Sequence, residues 1–120
     1  MSDKQRATWD TYTSAWKAAT AQAKAQALRA STTATCVYRD PLKCTEGHDA
    51  LVAYMLDFHQ QVPGGYFETT YFLAHHERSI SKWNMRAGDD SIVGEGVSYA
   101  EYDAKGQLQV MTGFFETPQA

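Results

Sequence analysis

Hydrophobic positions in the first quarter of the chain repeat with a helical period. They predict helix from about Lys4 to Leu28, and we expect a bend near Thr20 that divides this segment into two helices. The hydroxyl and β-branched residues at 31–33 end the pattern, because such side chains favour extended or capping conformations. The apolar face of the first helix carries Trp9, Tyr12, Trp16 and Ala19.

A short strand and another helix are predicted next. The strand, Cys36–Arg39, stops at Asp40-Pro41, because proline lacks an amide proton and biases its predecessor toward extended geometry. Helix-start signals at 45–49 precede a further apolar stripe, and the Pro-Gly-Gly sequence at 63–65 ends that helix. The stripe consists of Leu51, Tyr54, Met55, Phe58 and Val62.

Alternating and aromatic-rich segments dominate the second half of the chain and predict a meander of four strands. Helices segregated from hairpin-connected strands are typical of an α+β fold, in which the helices cover one face of the sheet. At 120 residues the chain is expected to form one domain, residues 1–120. The predicted strands are 66–76, 79–86, 91–102 and 108–115.

The face of the sheet turned away from the helices is predicted to be partly apolar. Such a face favours a partner surface, and we expect a homodimer through the outer sheet face, with a monomer as the alternative. The residues that suggest it are Ile80, Val93, Val97 and Tyr99.

Composition and charge narrow the classes of function. A net charge of −3 and a pI near 5.7 argue against nucleic acid as a partner. No apolar run is long enough for a membrane span, and the N-terminus lacks a signal-peptide core, so a cytoplasmic protein is expected. Cys36 and Cys44 form neither a metal set nor a disulfide framework, so no metal and no cofactor are predicted. The fifteen aromatic residues (three Trp, seven Tyr, five Phe) suit a pocket for a small apolar or aromatic ligand, or simply an aromatic core.

Several strings, taken in order, resemble the ketosteroid isomerase and SnoaL-like polyketide cyclase superfamily, whose fold is similar to nuclear transport factor 2. The resemblance covers nearly the whole chain and implies a cone, a curved mixed or antiparallel sheet wrapped around N-terminal helices and an internal pocket (a cystatin-like roll). The resemblance rests on the segments 12–16 (Tyr-Thr-Ser-Ala-Trp), 38–41 (Tyr-Arg-Asp-Pro), 47–51 (Gly-His-Asp-Ala-Leu), 101–108 and 111–115.

The resemblance also implies places for functional groups. In ketosteroid isomerases the aspartate of the Asp-Pro pair is the general base, which corresponds to Asp40, and a tyrosine and a protonated aspartic acid form the oxyanion hole. In this sequence the place of the tyrosine falls at or near Trp16, and the place of the aspartic acid falls on Ser98. An indole N–H cannot supply a proton and a serine hydroxyl is a weaker donor, so authentic steroid isomerisation is not expected.

The candidate catalytic residues are Asp40 and His75. Asp40 has a structural alternative, since Asp-Pro often only organises a turn. His75 and His76 must face opposite sides of a strand, so at most one enters the pocket, and His59 is a further candidate at the pocket mouth. The predicted ligand-binding residues are Trp16, Phe58, Trp83, Met85, Ser98, Met111 and Phe115. For Trp83 and Met85, core packing is the alternative.

Three hypotheses of function follow. The first is an isomerase-, cyclase- or dehydratase-type enzyme that uses Asp40 as general base on a largely apolar substrate. The second is a ligand-binding module without catalysis, suggested by the missing tyrosine and aspartic acid. The third is a dimeric interaction module of the same fold.

Overall fold

The computed structural model describes residues 2–117 as three helices and one six-stranded sheet. The helices are α1 (Ser2–Lys17), α2 (Ala21–Ser31) and α3 (His48–Gln61). The strands are β1 (Thr32–Asp40), β2 (Lys43–Glu46), β3 (Tyr66–His75), β4 (Arg78–Arg86), β5 (Ile92–Tyr102) and β6 (Leu108–Phe114).

The sheet is mixed and curled, and its strand order is β2-β1-β6-β5-β4-β3. All neighbours are antiparallel except β1 and β6, which run parallel. The last strand of the chain therefore lies between the first strand and the meander. The α+β prediction and the cone-shaped sheet are confirmed.

The predicted bend in the N-terminal helical segment is present at Thr20. Its hydroxyl oxygen accepts a hydrogen bond of 3.1 Å from Ala23 N–H, so Thr20 caps the start of α2. The end of α1 is held by Lys24, a fully buried residue of α2 whose ammonium group donates to the carbonyl oxygens of Ala15 and Ala18 at 3.1 and 2.5 Å. Burial lowers the pKa of Lys24.

The predicted single strand before α3 is wrong, because this segment forms a hairpin. β1 begins at Thr32, directly after α2, and Lys43–Glu46 returns antiparallel beside it as β2. The turn at Asp40-Pro41 lets the chain reverse, so 45–46 belong to a strand and α3 begins only at His48. Gly47, which precedes the helix, has a φ of 83°, a conformation that favours glycine.

The two faces of the sheet differ as the alternation predicts. On β4, Ser79, Ser81 and Trp83 are buried, whereas the alternate residues Ile80 and Lys82 are exposed. The exposed face carries apolar side chains with 42% to 55% of their area accessible. These are Tyr71, Leu73, Ile80, Val93, Val97 and Phe114. We call this side the outer face and the helix-covered side the inner face.

Candidate active site

A row of neighbouring residues on the inner face joins three strands. Arg39 of β1 pairs with Thr112 of β6, which puts Asp40 beside Gly113, and Gly113 pairs with Ser98 of β5. A Cβ atom built on Gly113 would lie 3.7 Å from Asp40 Cβ and 3.9 Å from Ser98 Oγ. The pairing of β1 with β6, and of β6 with β5, thus brings together Asp40 and Ser98, which are 58 positions apart in the sequence.

The Asp40 carboxylate accepts three hydrogen bonds. Tyr38 O–H and Tyr54 O–H donate to Oδ2 at 2.6 and 2.8 Å, and Leu42 N–H donates to Oδ1 at 2.8 Å. Tyr38 reaches the carboxylate because it lies two residues earlier on the same strand face, whereas Tyr54 approaches from α3. Asp40 therefore stabilises the turn through one carboxylate oxygen and accepts hydrogen bonds from two phenol groups through the other.

Both tyrosines keep their protons over a wide pH range. Burial, reinforced by the hydrogen bond to Asp40, raises the pKa of Tyr38 and of Tyr54 above the ordinary value of 10.0. Each phenol is consequently a fixed donor to the carboxylate rather than a competing anion.

A small cavity of about 30 Å³ lies inside the cone, between α1 and the inner face of the sheet. This is room for about one or two water-sized groups. Tyr38, Ser98 and Gly113 belong to its wall, whereas Asp40 does not line it and meets it only through the Tyr38 hydroxyl. The other lining residues are Trp9, Tyr12, Thr13, Trp16, Phe67, Thr69 and Trp83.

The donor that α1 offers to the cavity is Tyr12 rather than Trp16. Trp16 Nε1–H donates to the Tyr12 hydroxyl oxygen at 3.0 Å, so the indole proton that was expected to bind a substrate oxygen is already used. The Tyr12 proton has no acceptor among residues 2–117. Burial raises the pKa of Tyr12, which keeps that proton in place. A tyrosine hydroxyl therefore lines the cavity after all, one helical turn before the expected position.

Trp83 separates this cavity from a second, larger space. Its Nε1–H donates to Ser98 Oγ at 3.0 Å, and its ring lies over Gly96. On the far side, an open groove of about 1180 Å³ is lined by Met85 and Phe115 and also by the outer-face residues Lys82, Val93, Val97 and Phe114.

The SnoaL-like domain family matches residues 12–113 of the chain. The chain belongs to this family. The matched segment includes Tyr12, Asp40 and Gly113, so it spans the site from α1 to β6.

Solved structures agree with this SnoaL-like fold. A protein from Agrobacterium tumefaciens, named as an isomerase of the SnoaL-like family, is 20% identical with a TM-score of 0.87, covering 96% of this chain and 99% of its own. A protein from Jannaschia named as a SnoaL-like polyketide cyclase is 12% identical with a TM-score of 0.75, covering 95% and 86%. One from Kribbella flavida, named as a ketosteroid isomerase, is 18% identical with a TM-score of 0.69, covering 98% and 82%. No curated protein sequence matches the chain. These identities establish the fold of the SnoaL-like domain and leave its activity open.

The remaining predicted ligand residues of the SnoaL-like domain are spread over three places. Phe58 packs on Trp16 and stacks on Phe67, behind the cavity wall. Met111 is buried in the core, lining neither the cavity nor the groove. Met85 and Phe115 line the groove. The structure therefore divides the one pocket expected from the sequence into a cavity and a groove.

His75 is not near Asp40. It is exposed at the end of β3, on the same face as Leu73, and its Nδ1 lies 3.0 Å from Nδ1 of His76. Three strands separate β3 from β1, about 19 Å along the sheet at the usual spacing. The expectation that His75 forms an acid–base pair with Asp40 is corrected by the phase of β3, which points this side chain to the outer face.

His59 of the SnoaL-like domain does not line the cavity, and its contacts are with Gly65 and Lys24. Its Nε2–H donates to Gly65 O at 2.9 Å, and its Nδ1 lies 3.4 Å from the Lys24 ammonium group. Within residues 2–117, no group of three or more His, Cys, Asp or Glu side chains is placed to hold a metal ion. No helix in the same range is long and apolar enough to cross a membrane.

Tyr12, Tyr38 and Tyr54 were not among the site residues predicted from the sequence. Signals for two of them exist. Tyr38 is two residues before Asp40 on a strand, and Tyr12 is four residues before Trp16 on a helix, so each shares a face with a predicted site residue. Tyr54 lies on the apolar stripe of α3, and only the packing of α3 against β1 brings it to Asp40.

Proposed function

We propose that this SnoaL-like domain is an isomerase- or cyclase-type enzyme that moves a proton on a small, largely apolar carbonyl compound, with Asp40 as the base. The observation that carries the proposal is the Asp40 carboxylate, held by Tyr38 and Tyr54 at the edge of a cavity lined by hydroxyl groups. A fixed carboxylate beside fixed donors is the arrangement that proton transfer next to a carbonyl group requires.

The proton travels through Tyr38. Because Tyr38 lines the cavity and Asp40 does not, the Tyr38 oxygen accepts the proton from the carbon next to the carbonyl group while its own proton passes to Asp40 Oδ2. The electron pair of the broken C–H bond moves onto the carbonyl oxygen. The raised pKa of Tyr38 disfavours a free phenolate, so the two transfers occur together. Return of the proton to another carbon by the same route completes an isomerisation.

The developing negative charge on the substrate oxygen is met by two neutral donors. Tyr12 O–H is available in the cavity, and the Ser98 hydroxyl accepts from Trp83 and keeps its own proton for a ligand. Each oxyanion donor of this kind contributes about 10²–10³ in rate when it is well placed.

Two phenylalanine variants test the relay. Tyr38→Phe and Tyr54→Phe each remove one hydrogen bond to the same oxygen, but only Tyr38 lines the cavity. The assay follows conversion of cyclohex-3-enone to its conjugated isomer by ultraviolet absorbance, together with deuterium uptake next to the carbonyl group by NMR. Asp40→Asn and Tyr38→Phe are expected to lower the rate about 10²–10⁴-fold, the usual contribution of general acid–base catalysis. Tyr54→Phe is expected to lower it far less.

The outcomes separate the parts of the proposal. If Tyr38→Phe keeps the wild-type rate while Asp40→Asn does not, the carboxylate acts directly and the relay is wrong. If wild type and Asp40→Asn give equal deuterium uptake, the enzymatic proposal is wrong. Binding of the enone without turnover would then favour the ligand-binding module.

We also propose that two copies pair through the outer face. The apolar outer-face side chains defined above lie on adjacent strands around Ile80 and Val97. An apolar surface of this kind on a sheet is typical of interfaces between subunits.

A further inference from the structure

We propose that the tip of the β3–β4 hairpin is a metal site, in which the imidazole rings of His75 and His76 together bind one Cu(II) ion. The observation that carries the proposal is the distance of 3.0 Å between their two Nδ1 atoms, on side chains that are both exposed. The pair lies on the strand at the far edge of the sheet from β1 and does not line the cavity, so the site is independent of the proposed function.

The two rings meet because the chain turns directly after His75. This residue ends β3 and pairs with Arg78, so His76 and Glu77 form a two-residue loop. His76 has a φ of 53°, which lies in the left-handed region where residues other than glycine are uncommon. On an extended strand adjacent side chains face opposite sides, as was expected for this pair from the sequence. The left-handed turn instead brings the second ring back to the first.

The backbone of this loop is held by neighbouring elements. Gln5 Nε2–H of α1 donates to the carbonyl oxygen of His76 at 2.6 Å. The carbonyl oxygen of Glu77 accepts from Tyr102 N–H at 2.9 Å. Since both carbonyl groups of the loop are fixed, a metal ion has only the two imidazole side chains to order, which lowers the entropic cost of binding.

The distance between the nitrogens matches two ligands on one metal ion. Imidazole nitrogens bind a divalent transition metal at about 2.0–2.1 Å. Two such bonds at a right angle place the nitrogens about 2.9 Å apart, whereas a tetrahedral angle places them about 3.3 Å apart. The observed 3.0 Å is closer to the right angle of square-planar or tetragonal coordination, which is typical of Cu(II) and Ni(II). Cu(II) is favoured, because it binds most tightly in the divalent series.

The chain supplies two ligands, and water supplies the others. Among residues 2–117 no third His, Cys, Asp or Glu side chain joins the pair in a metal-binding group. The contact of 3.0 Å requires one Nδ1–H to donate to the other Nδ1. When copper binds, that proton moves to Nε2 of the same ring, and both Nδ1 lone pairs coordinate the ion. The copper stays Cu(II), and the site departs from the sequence-based expectation that the chain binds no metal.

The charges around the pair favour a cation. Arg78 is the nearest guanidinium in the sheet register, and its own partner on β5 is Glu101. Glu77 adds a second carboxylate in the loop. On α1, the Arg6 guanidinium is paired with Asp10 at 3.1 Å. The carboxylates therefore outnumber the guanidinium groups, which attracts a divalent ion rather than repelling it.

The experiment titrates Cu(II) chloride into the full chain by calorimetry, with glycine as the competing ligand. All proteins carry Cys44→Ser, because the exposed Cys44 thiol would itself bind or reduce copper. We expect one Cu(II) per chain. His75→Gln and His76→Asn are each expected to weaken binding at least about tenfold, since a single remaining ligand loses the advantage of joint coordination. Glu77→Gln, in the same loop, is the control and should change the affinity by less than about threefold, because an exposed charge is screened.

Electron paramagnetic resonance identifies the ligands directly. Copper on the parent protein should show coupling to two ring nitrogens, and copper on either histidine variant should show coupling to one. Asparagine is chosen at 76 because it tolerates the left-handed backbone. If His76→Asn does not fold, as judged by circular dichroism, His75→Gln on the strand keeps the test valid.

Parent affinity in both folded histidine variants would overturn the proposal, as would a two-nitrogen spectrum that survives in both. One Cu(II) per two chains would also overturn it, because the ion would then lie between copies. Tighter binding of Zn(II) than of Cu(II) would contradict the coordination inferred from the 3.0 Å distance. Loss of both the affinity and the two-nitrogen spectrum in the histidine variants, with Glu77→Gln unchanged, would confirm the site.

Discussion

Tyr54 O–H donates a hydrogen bond of 2.8 Å to Asp40 Oδ2, which fastens the first half of α3 to the end of β1. The other carboxylate oxygen accepts from Leu42 N–H in the turn that follows. The two interpretations of Asp40, as a turn residue and as a functional carboxylate, therefore describe the two oxygens of the same group.

Asp40 substitutions should separate these contributions by their effect on stability. Asp40→Ala leaves the buried phenol of Tyr38 and the half-buried phenol of Tyr54 without their acceptor and is expected to lower the free energy of unfolding by about 2–4 kcal/mol, since an unsatisfied buried donor costs about 1–3 kcal/mol. Asp40→Asn keeps an acceptor for Leu42, and the phenols can rotate to accept from its amide, so a loss near 1 kcal/mol is expected. Urea unfolding measures both, and equal losses for the two variants would contradict this account.

Two glycines of the inner face are expected to behave in opposite ways when changed to alanine. Gly96→Ala places a Cβ atom 2.5 Å from Phe114 O and 2.5 Å from Trp83 Cζ2, and the backbone oxygen cannot give way. A loss of about 1–3 kcal/mol in unfolding free energy is expected from this overpacking.

Gly113→Ala meets nothing closer than 3.7 Å, so its stability should stay within about 1 kcal/mol of wild type. Its methyl group, however, enters the space between Tyr38 and Ser98 and should weaken binding of cyclohex-3-enone. Thermal unfolding and titration by NMR check the pair. Wild-type enone affinity in Gly113→Ala would show that the ligand does not occupy this cavity.

The buried phenols predict a loss of stability in alkali. Burial raises the pKa of Tyr12, Tyr38 and Tyr54 above 10.0, and that of Tyr102 to about 12. A pKa that is higher in the folded state than in the unfolded state gives stabilisation that is fully present below pH 10.0 and is lost as the pH rises through the folded values. Urea unfolding from below to above pH 10.0 should show this decline, with a shallower slope in Tyr102→Phe. An unchanged slope in that variant would contradict the assignment.

If the protein dimerises through the outer face, charged side chains introduced there should prevent dimerisation. Val97→Asp combined with Ile80→Asp should convert a dimer to a monomer, because two carboxylates would have to be desolvated in each subunit's interface. Light scattering coupled to size-exclusion chromatography measures the mass. Leu42→Asp, an exposed apolar position at the β1–β2 turn, is the control and should leave the mass unchanged. A monomeric wild type at all concentrations would reject the dimer.

Local patterns in the sequence were sufficient to predict most of the helices and strands. The helical stripe of Trp9, Tyr12 and Trp16 is buried as predicted, the bend lies at Thr20, and the alternation on β4 correctly separates Trp83 from Ile80. These features depend on neighbours within a few residues, where side-chain periodicity and capping preferences operate. The short strand β2 was missed, because its four residues pair only with β1 and carry no pattern of their own.

The site depended on contacts that no local pattern contains. The sequence alone indicated Asp40 as the residue to consider, and it supplied the glycine and serine positions of the inner face. Only the tertiary structure placed β6 parallel to β1, which brings Gly113 and Ser98 to Asp40, and only the packing of α3 added Tyr54. In the tertiary structure, the His75 side chain lies on the outer face, and the Trp16 indole N–H donates its proton to a hydrogen bond with the Tyr12 hydroxyl oxygen. The physical reason is that strand pairing and hydrogen-bond partners are chosen by the geometry of the whole sheet, whereas the sequence pattern fixes only which face each residue occupies.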